Sequence, residues 1–303
     1  DGLTFLRKLM KYYPLPVVIV SSLSQQGSRT AMRAMELGAV DVVSKPGGGE
    51  SLSEIIETLV DKVRAAARSR RLPVAAPMSD APAAQSPVPH HAATNVLAIG
   101  GSTGGTEAIR NVLLGLPADG PGTLIVQHLP AKFTAAFAER LNAQCAMDVR
   151  EACDGDEVVS GAALVAPGGK HMALRKLKGR FVVEIKDGPA VFHQRPSVDV
   201  LFHSVARQIG GDAIGVLLTG MGADGARGMV AMRSAGAHTI AQDEDTSVVF
   251  GMPREAIRLE GTDRVLPLQH IAHHINRVLS RRDKSARPKA QPVGAGAPGS
   301  FNL

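Results

Sequence analysis

An apolar run, Asn95-Val96-Leu97-Ala98-Ile99, ends in Gly100-Gly101-Ser102-Thr103-Gly104, and a helix-like stretch follows from Thr106. A buried strand that turns at once into a helix points to a parallel sheet, because parallel neighbours need a crossover and a helix supplies it. The junction also places a serine at the corner. Its spacing fits G-x-S-x-G, in which the turn lifts a hydroxyl above the end of the sheet. The glycines permit tight or positive-φ backbone and let a substrate approach closely. The following helix offers N–H groups and a positive dipole end to a developing oxyanion. Gly-rich strand–helix turns also bind phosphate. Neither phosphate fingerprint fits here: position 102 is Ser where G-x-G-x-x-G needs its second Gly, and the Walker lysine is absent.

A chain of 303 residues with 44% hydrophobic content has room for about two domains with buried cores. Aromatic residues make up only 3%, with no Trp, so those cores are built from Val, Leu, Ile, Ala and Met. No run of 18 apolar residues and no signal peptide is present, which argues against membrane insertion and export. Cys145 and Cys153 make neither a disulfide framework nor a metal cluster, and a reducing cytoplasm is the expected location. Most of the net charge of +6 sits in 281–290, where Arg281, Arg282, Lys284, Arg287 and Lys289 oppose only Asp283. The basicity therefore reads as a solvated tail, and no nucleic-acid partner is expected. A monomer is expected.

Two segments divide the chain. Residues 72–93 hold five prolines and seven alanines without apolar periodicity, and read as an interdomain linker. Residues 283–303, rich in Pro, Gly, Ala and Lys, read as a disordered basic tail. The expected domains are thus 1–71 and 94–282. In the first, helices are expected over 3–11, 29–37 and 52–68, with strands at 17–20 and 40–43. Two strands are too few for a stable sheet, so weak packing is expected there. Because the chain starts at Asp1 without Met, it reads as a fragment whose first domain begins upstream.

Asp1-Gly2, Val20-Ser21-Ser22 and Lys45-Pro46 resemble the second half of a response-regulator receiver domain. The resemblance implies a flavodoxin-like fold, with Ser21 as the switch hydroxyl and Lys45 as the lysine that pairs with a phosphorylated aspartate. It implies a histidine kinase as partner of an intact receiver, which would also bind Mg²⁺. The phosphoacceptor and the acidic metal-binding pair are expected upstream of Asp1.

The second domain predicts strands at 95–99, 123–127, 163–166, 214–218 and 238–241. Helices are expected at 104–115, 131–143, 198–209, 225–235, 253–259 and 268–281. Alternation from His171 to Ile185 about Lys178-Gly179 predicts a hairpin. The fold class is α/β: a doubly wound, mostly parallel sheet with an antiparallel hairpin, preceded by the C-terminal half of a receiver.

Ligands of open parallel sheets bind beyond the carboxyl ends of the strands. Ser102, His128 (after Leu124-Ile125-Val126-Gln127) and Asp224 (in the loop after Val216-Leu217-Leu218) fall at three such ends. A serine nucleophile needs a base, and the base needs a carboxylate to fix its tautomer. The chain order Ser–His–Asp departs from the Ser–Asp–His of α/β-hydrolases. His90, His91, His171, His193, His203, His273 and His274 compete for the base role, and Ser102 and Asp224 could be cap or turn residues.

Several motifs together resemble the chemotaxis receptor glutamate methylesterase family, CheB. They are Ala98–Gly105, Val126-Gln127-His128-Leu129-Pro130, Val165–Gly169, Pro196-Ser197-Val198-Asp199, Leu218–Gly225, Ala241–Glu244 and Gly251-Met252-Pro253. The resemblance implies Ser102 as nucleophile, His128 as general base and Asp224 as its orienting carboxylate. It implies Met221 as a backbone donor to the oxyanion, with Thr103 beside the nucleophile. It also implies hydrolysis of γ-glutamyl methyl esters on methyl-accepting chemoreceptors, releasing methanol, with glutamine deamidation as a second activity. No cofactor or metal is needed for that chemistry. Two other readings stand beside it: a phosphate-binding module using Gly100–Gly105, and a catalytically silent regulator that only docks on receptors.

Overall fold

The computed structural model describes residues 1–22, 24–45, 52–69 and 95–286. Pro46, the 72–93 linker and residues 287–303 lie outside them. The N-terminal unit runs α1 (Gly2–Tyr12), β1 (Val18–Ser21), α2 (Gln25–Glu36), β2 (Asp41–Ser44) and α3 (Leu52–Ala67). Strands β1 and β2 pair in parallel, from Val18 with Asp41 to Ser21 with Ser44. Ser24 starts α2 by accepting the Gly27 N–H, which satisfies one of the amides a helix start leaves open.

The remaining strands are β3 (Val96–Gly101), β4 (Gly122–Gln127), β5 (Asp148–Glu151), β6 (Ala162–Val165), β7 (His171–Leu177), β8 (Arg180–Lys186), β9 (Ala213–Leu217), β10 (His238–Gln242) and β11 (Arg264–Leu266). Seven of them form one sheet in the order β11-β10-β9-β3-β4-β6-β5, with every pairing parallel. β7 and β8 form the expected antiparallel hairpin. Lys178 and Gly179 at its tip both have positive φ, as a tight two-residue turn requires.

The helices are α4 (Gly105–Leu114), α5 (Phe133–Gln144), α6 (Val198–Gln208), α7 (Ala226–Ser234), α8 (Met252–Arg258) and α9 (Leu268–Ala286). They cover both faces of the sheet, which is why its central strands β3, β4 and β9 are buried at every position rather than at alternate ones. Leu97, Ile99 and Ile125 pack with Ile109, Leu113, Phe137, Leu141, Ile271 and Ile275 of α4, α5 and α9. Val96, Ala98, Leu124 and Val126 pack on the other face with Val198, Leu201, Phe202, Met229 and the hairpin residues Met172 and Leu174. The chain leaves β3 toward β4 on one side and returns to pair β9 on the other, so the strand order reverses at β3. That reversal opens a crevice at the carboxyl ends of β3, β4 and β9.

Several expectations need correction. β5 and β11 carry no apolar run in the sequence, because both are short edge strands. Asp148, Arg150 and Arg264 give them charge, not an apolar signature. Helix α9 runs to Ala286, past the boundary expected at 282. Lys284 and Ala286 favour helix, and no Pro interrupts the segment before 288. Nor is all of that basic segment solvated: the Arg282 guanidinium donates to the carbonyls of Gly211, Asp212 and Ala213 and to Asn95 Oδ1.

The weak packing expected of residues 1–71 holds on one side only. Phe5, Tyr12, Tyr13, Val20, Ile56 and Val63 are exposed. Met32 and Met35 of α2, however, are buried in an apolar cluster continuous with that of α4 and α5. Arg140 of α5 clamps this contact by binding both Glu36 and Glu107.

Candidate active site

Register explains how two of the polar residues meet. Gly101 of β3 pairs with Gln127 of β4, so Ser102 and His128 leave adjacent strands at the same level. The His128 N–H donates to the Gly101 carbonyl at 3.2 Å, and the Ser102 N–H donates to the Thr219 carbonyl at 3.0 Å. The Gln127 side chain closes the corner by donating to the Ser102 carbonyl at 2.8 Å. The turn departs from the strained serine elbow in one respect. Ser102 is not in the left-handed region; Gly104 carries the positive φ, at 77°. A side chain there would also meet Val248, with its Cβ 2.6 Å away.

The loop after β9 brings the carboxylate. Asp224 Oδ2 lies 2.8 Å from His128 Nε2, with both side chains buried. Asp224 has further donors: Ser197 Oγ at 2.8 Å, the Val198 N–H at 2.7 Å and the Asp199 N–H at 3.1 Å. The last two are the opening amides of α6, so the carboxylate sits at the positive end of that helix. Burial pushes the Asp224 carboxyl up. The hydrogen bond and charge of His128, with the donors Ser197 and Val198, outweigh it and hold the pKa below the usual value.

An ionised carboxylate only accepts hydrogen bonds, so His128 must carry its proton on Nε2. His128 Nδ1 is buried and makes no hydrogen bond among the described residues. Ser102 Oγ is not bonded to it here; such bonds commonly tighten only when substrate binds. On the other side of Ser102 lies Gly220, where a Cβ would stand 2.7 Å from Ser102 Cβ and 2.2 Å from Met252 Sδ. Only a glycine allows the loop to press so close. Met221 follows it and is exposed.

Thr103 faces the N-terminal unit. Its hydroxyl donates to Asp41 Oδ2 at 2.6 Å, while Lys62 holds Asp41 Oδ1 at 2.7 Å. The Gly104 N–H donates to the Val40 carbonyl at 3.3 Å. Asp41 gave no signal in the sequence, where it opens an ordinary strand. Ser21 and Lys45 come together at the end of the small sheet, where the Lys45 N–H donates to the Ser21 carbonyl at 2.7 Å. Ser21 Oγ donates to the Gly27 carbonyl at 3.0 Å. A hydroxyl and an ammonium do not suit a divalent cation. Among the described residues no group of three or more His, Cys, Asp or Glu could hold a metal, and no helix is long and apolar enough to cross a membrane.

Two of the competing histidines have side-chain hydrogen bonds that place them. His274 and His238 stack on each other between α9 and β10. His171 is buried against Ser197. His90 and His91 lie outside the described residues.

Comparison with known proteins agrees with this arrangement of strands and loops. The chain is 50% identical over 281 residues to a Syntrophus aciditrophicus protein named protein-glutamate methylesterase/protein-glutamine glutaminase 2, covering 92% of this chain and 82% of that one. It is 54% identical over 293 residues to the Anaeromyxobacter dehalogenans protein of that name numbered 5, covering 92% and 80%. Its fold matches the crystal structure of the Thermotoga maritima CheB methylesterase catalytic domain with a TM-score of 0.60 and 34% identity, over 61% of this chain and 98% of that one. The family model for CheB methylesterase matches residues 97–275, a span that contains Ser102, His128 and Asp224, and the chain belongs to the CheB methylesterase family.

Proposed function

We propose that this protein hydrolyses γ-glutamyl methyl esters on chemoreceptors to glutamate and methanol, and deamidates glutamine there, using Ser102, His128 and Asp224. The observation that carries the mechanism is the His128–Asp224 pair, with Nδ1 left for a serine that leaves the neighbouring strand at the same level. Ser102 Oγ attacks the ester carbonyl carbon while its proton passes to His128 Nδ1. Asp224 stabilises the imidazolium so formed. The negative charge gathers on the former carbonyl oxygen, where the Met221 N–H donates to it. Collapse breaks the bond to methoxide, which takes the proton from His128 and leaves as methanol. Water then attacks the γ-acyl-serine with His128 again as base, releasing glutamate and restoring Ser102. For glutamine the leaving group is ammonia. No step runs through a metal.

Residues 1–71 are read as part of a receiver, with Ser21 and Lys45 at its switch end, joined by residues 72–93 to the catalytic unit at 94–282. In an intact receiver a histidine kinase of the receptor array would be the phosphate source. The Asp41–Thr103 bond supports restraint of the catalytic face by this unit, because it grips the residue after the nucleophile. A cytoplasmic location fits a substrate on the inner part of receptors. Methanol release from methylated receptor membranes tests the reading. Steady release supports an enzyme, and none would leave a docking protein or a phosphate-binding module.

A further inference from the structure

Ser197 enters no step of the reaction above, yet it is fully buried against the carboxylate that orients the base. It occupies the cap position of α6, where a serine ordinarily accepts a hydrogen bond from the first turn. Here that cap bond is long: the Val200 N–H stands 3.4 Å from Ser197 Oγ. The shorter bond runs the other way, from Ser197 Oγ to Asp224 Oδ1 at 2.8 Å. Its direction is settled by chemistry, since an ionised carboxylate has no proton to give. The opening amides of the helix, from Val198 and Asp199, are satisfied by Asp224 and not by the serine.

The backbone of Ser197 is fixed in turn. Its N–H donates to His171 Nδ1 at 3.2 Å, and His171 Nε2 bonds the Pro189 carbonyl at 2.9 Å. Because Nδ1 accepts and the carbonyl also accepts, His171 must be the neutral Nε2–H tautomer. Hydrogen bonds thus link Pro189, His171, Ser197, Asp224 and His128 in a row, in which Ser197 donates to both its neighbours and Asp224 accepts from both of its own.

We infer that Ser197 is a positioning residue for this reaction: its hydroxyl holds Asp224 Oδ1, so that Oδ2 faces His128 Nε2, and His171 holds Ser197 in place. The inference rests on the triad reading. The hydroxyl touches neither substrate nor reacting atoms, so its loss is felt in turnover and not in substrate binding.

Ser197→Gly separates this role from helix capping, because Gly is tolerated at a helix cap at little cost to stability. With methylated receptor membranes as substrate and the full chain as enzyme, Ser197→Gly is expected to lower kcat about tenfold or more, the scale of one lost hydrogen bond to a charged group. KM should stay within about twofold. Ser197→Thr, which keeps the hydroxyl, should recover most of the turnover. The downfield ring-proton resonance of His128 should move in Ser197→Gly and return in Ser197→Thr. Wild-type kcat in folded Ser197→Gly, with Ser102→Ala inactive, would overturn this inference alone. A loss that tracks melting temperature while the His128 ring-proton resonance stays in place would overturn it in favour of a capping role. Methanol release by Ser102→Ala would remove the triad reading beneath it.

Discussion

His128 gives Nε2, not Nδ1, to the Asp224 carboxylate, at 2.8 Å. In the serine-protease triad the carboxylate takes Nδ1 and the serine faces Nε2. Here the ring is turned the other way round, on a histidine that directly follows Gln127, the register partner of Gly101. We expect nitrogen NMR of the neutral enzyme to show the proton of His128 on Nε2 and a lone pair on Nδ1. A protonated Nδ1 in the free enzyme would contradict this assignment.

Asp224→Asn tests the carboxylate. Oδ1 accepts from Ser197 and Asp199, and Oδ2 from His128 and Val198. An asparagine that keeps its oxygen on the Ser197 side turns its amide toward His128 and forces the wrong tautomer. We expect turnover to fall on the order of 10³- to 10⁴-fold. Asp224→Ala should also destabilise the fold, since each buried donor left without an acceptor costs about 1–3 kcal/mol. Because the folded pKa of Asp224 is lowered, its contribution is complete above the ordinary carboxylate value near pH 4 and is lost as pH falls through the lowered folded value. Thermal melts of the two variants from pH 7 to pH 3 check both statements.

A second acid response comes from His274. Burial, then the neighbouring His238 and the cations Arg277, Arg264 and Arg281, push its pKa down to about 4. His238 is lowered by burial too, with Asp263 opposing and Arg282, Arg264 and Arg277 adding to the depression. A histidine depressed in the fold binds its proton more readily when unfolded, so stability falls as pH drops from about 6.5 toward 4. This window lies above that of Asp224. His274→Gln should flatten the fall in melting temperature across it. An unchanged slope would assign that response to other groups.

The strand-end positions of Ser102, His128 and Asp224 were legible in the sequence alone. Ser102, His128 and Asp224 each follow an apolar run, and such runs are the clearest signal a parallel sheet leaves in a sequence. The supports were not legible. Gln127 bonds the Ser102 carbonyl and Ser197 bonds the Asp224 carboxylate, partners that lie 25 and 27 residues away. Asp41 acts across 62 residues, from a unit that looked poorly packed. The strands β5 and β11 were hidden because edge strands carry charge where central ones carry valine.

The Asp41–Thr103 bond makes its own prediction. Asp41 is buried and held by Lys62, so the bond is a fixed link from the N-terminal unit to the nucleophile turn. Asp41→Ala should loosen that unit and raise the initial rate of methanol release several-fold. It should also speed proteolytic cutting within residues 1–71. An unchanged or lower rate, with the unit released, would mean that the contact does not restrain the site.

The covalent role of Ser102 is tested most directly by methanol release from methylated receptor membranes with wild type and Ser102→Ala side by side, each verified as folded. Triad nucleophiles elsewhere contribute on the order of 10⁶ in turnover, so the variant should release essentially no methanol above background. Mass spectrometry of the quenched wild-type enzyme should place the trapped γ-acyl group on Ser102. Substantial methanol release by folded Ser102→Ala would contradict the mechanism.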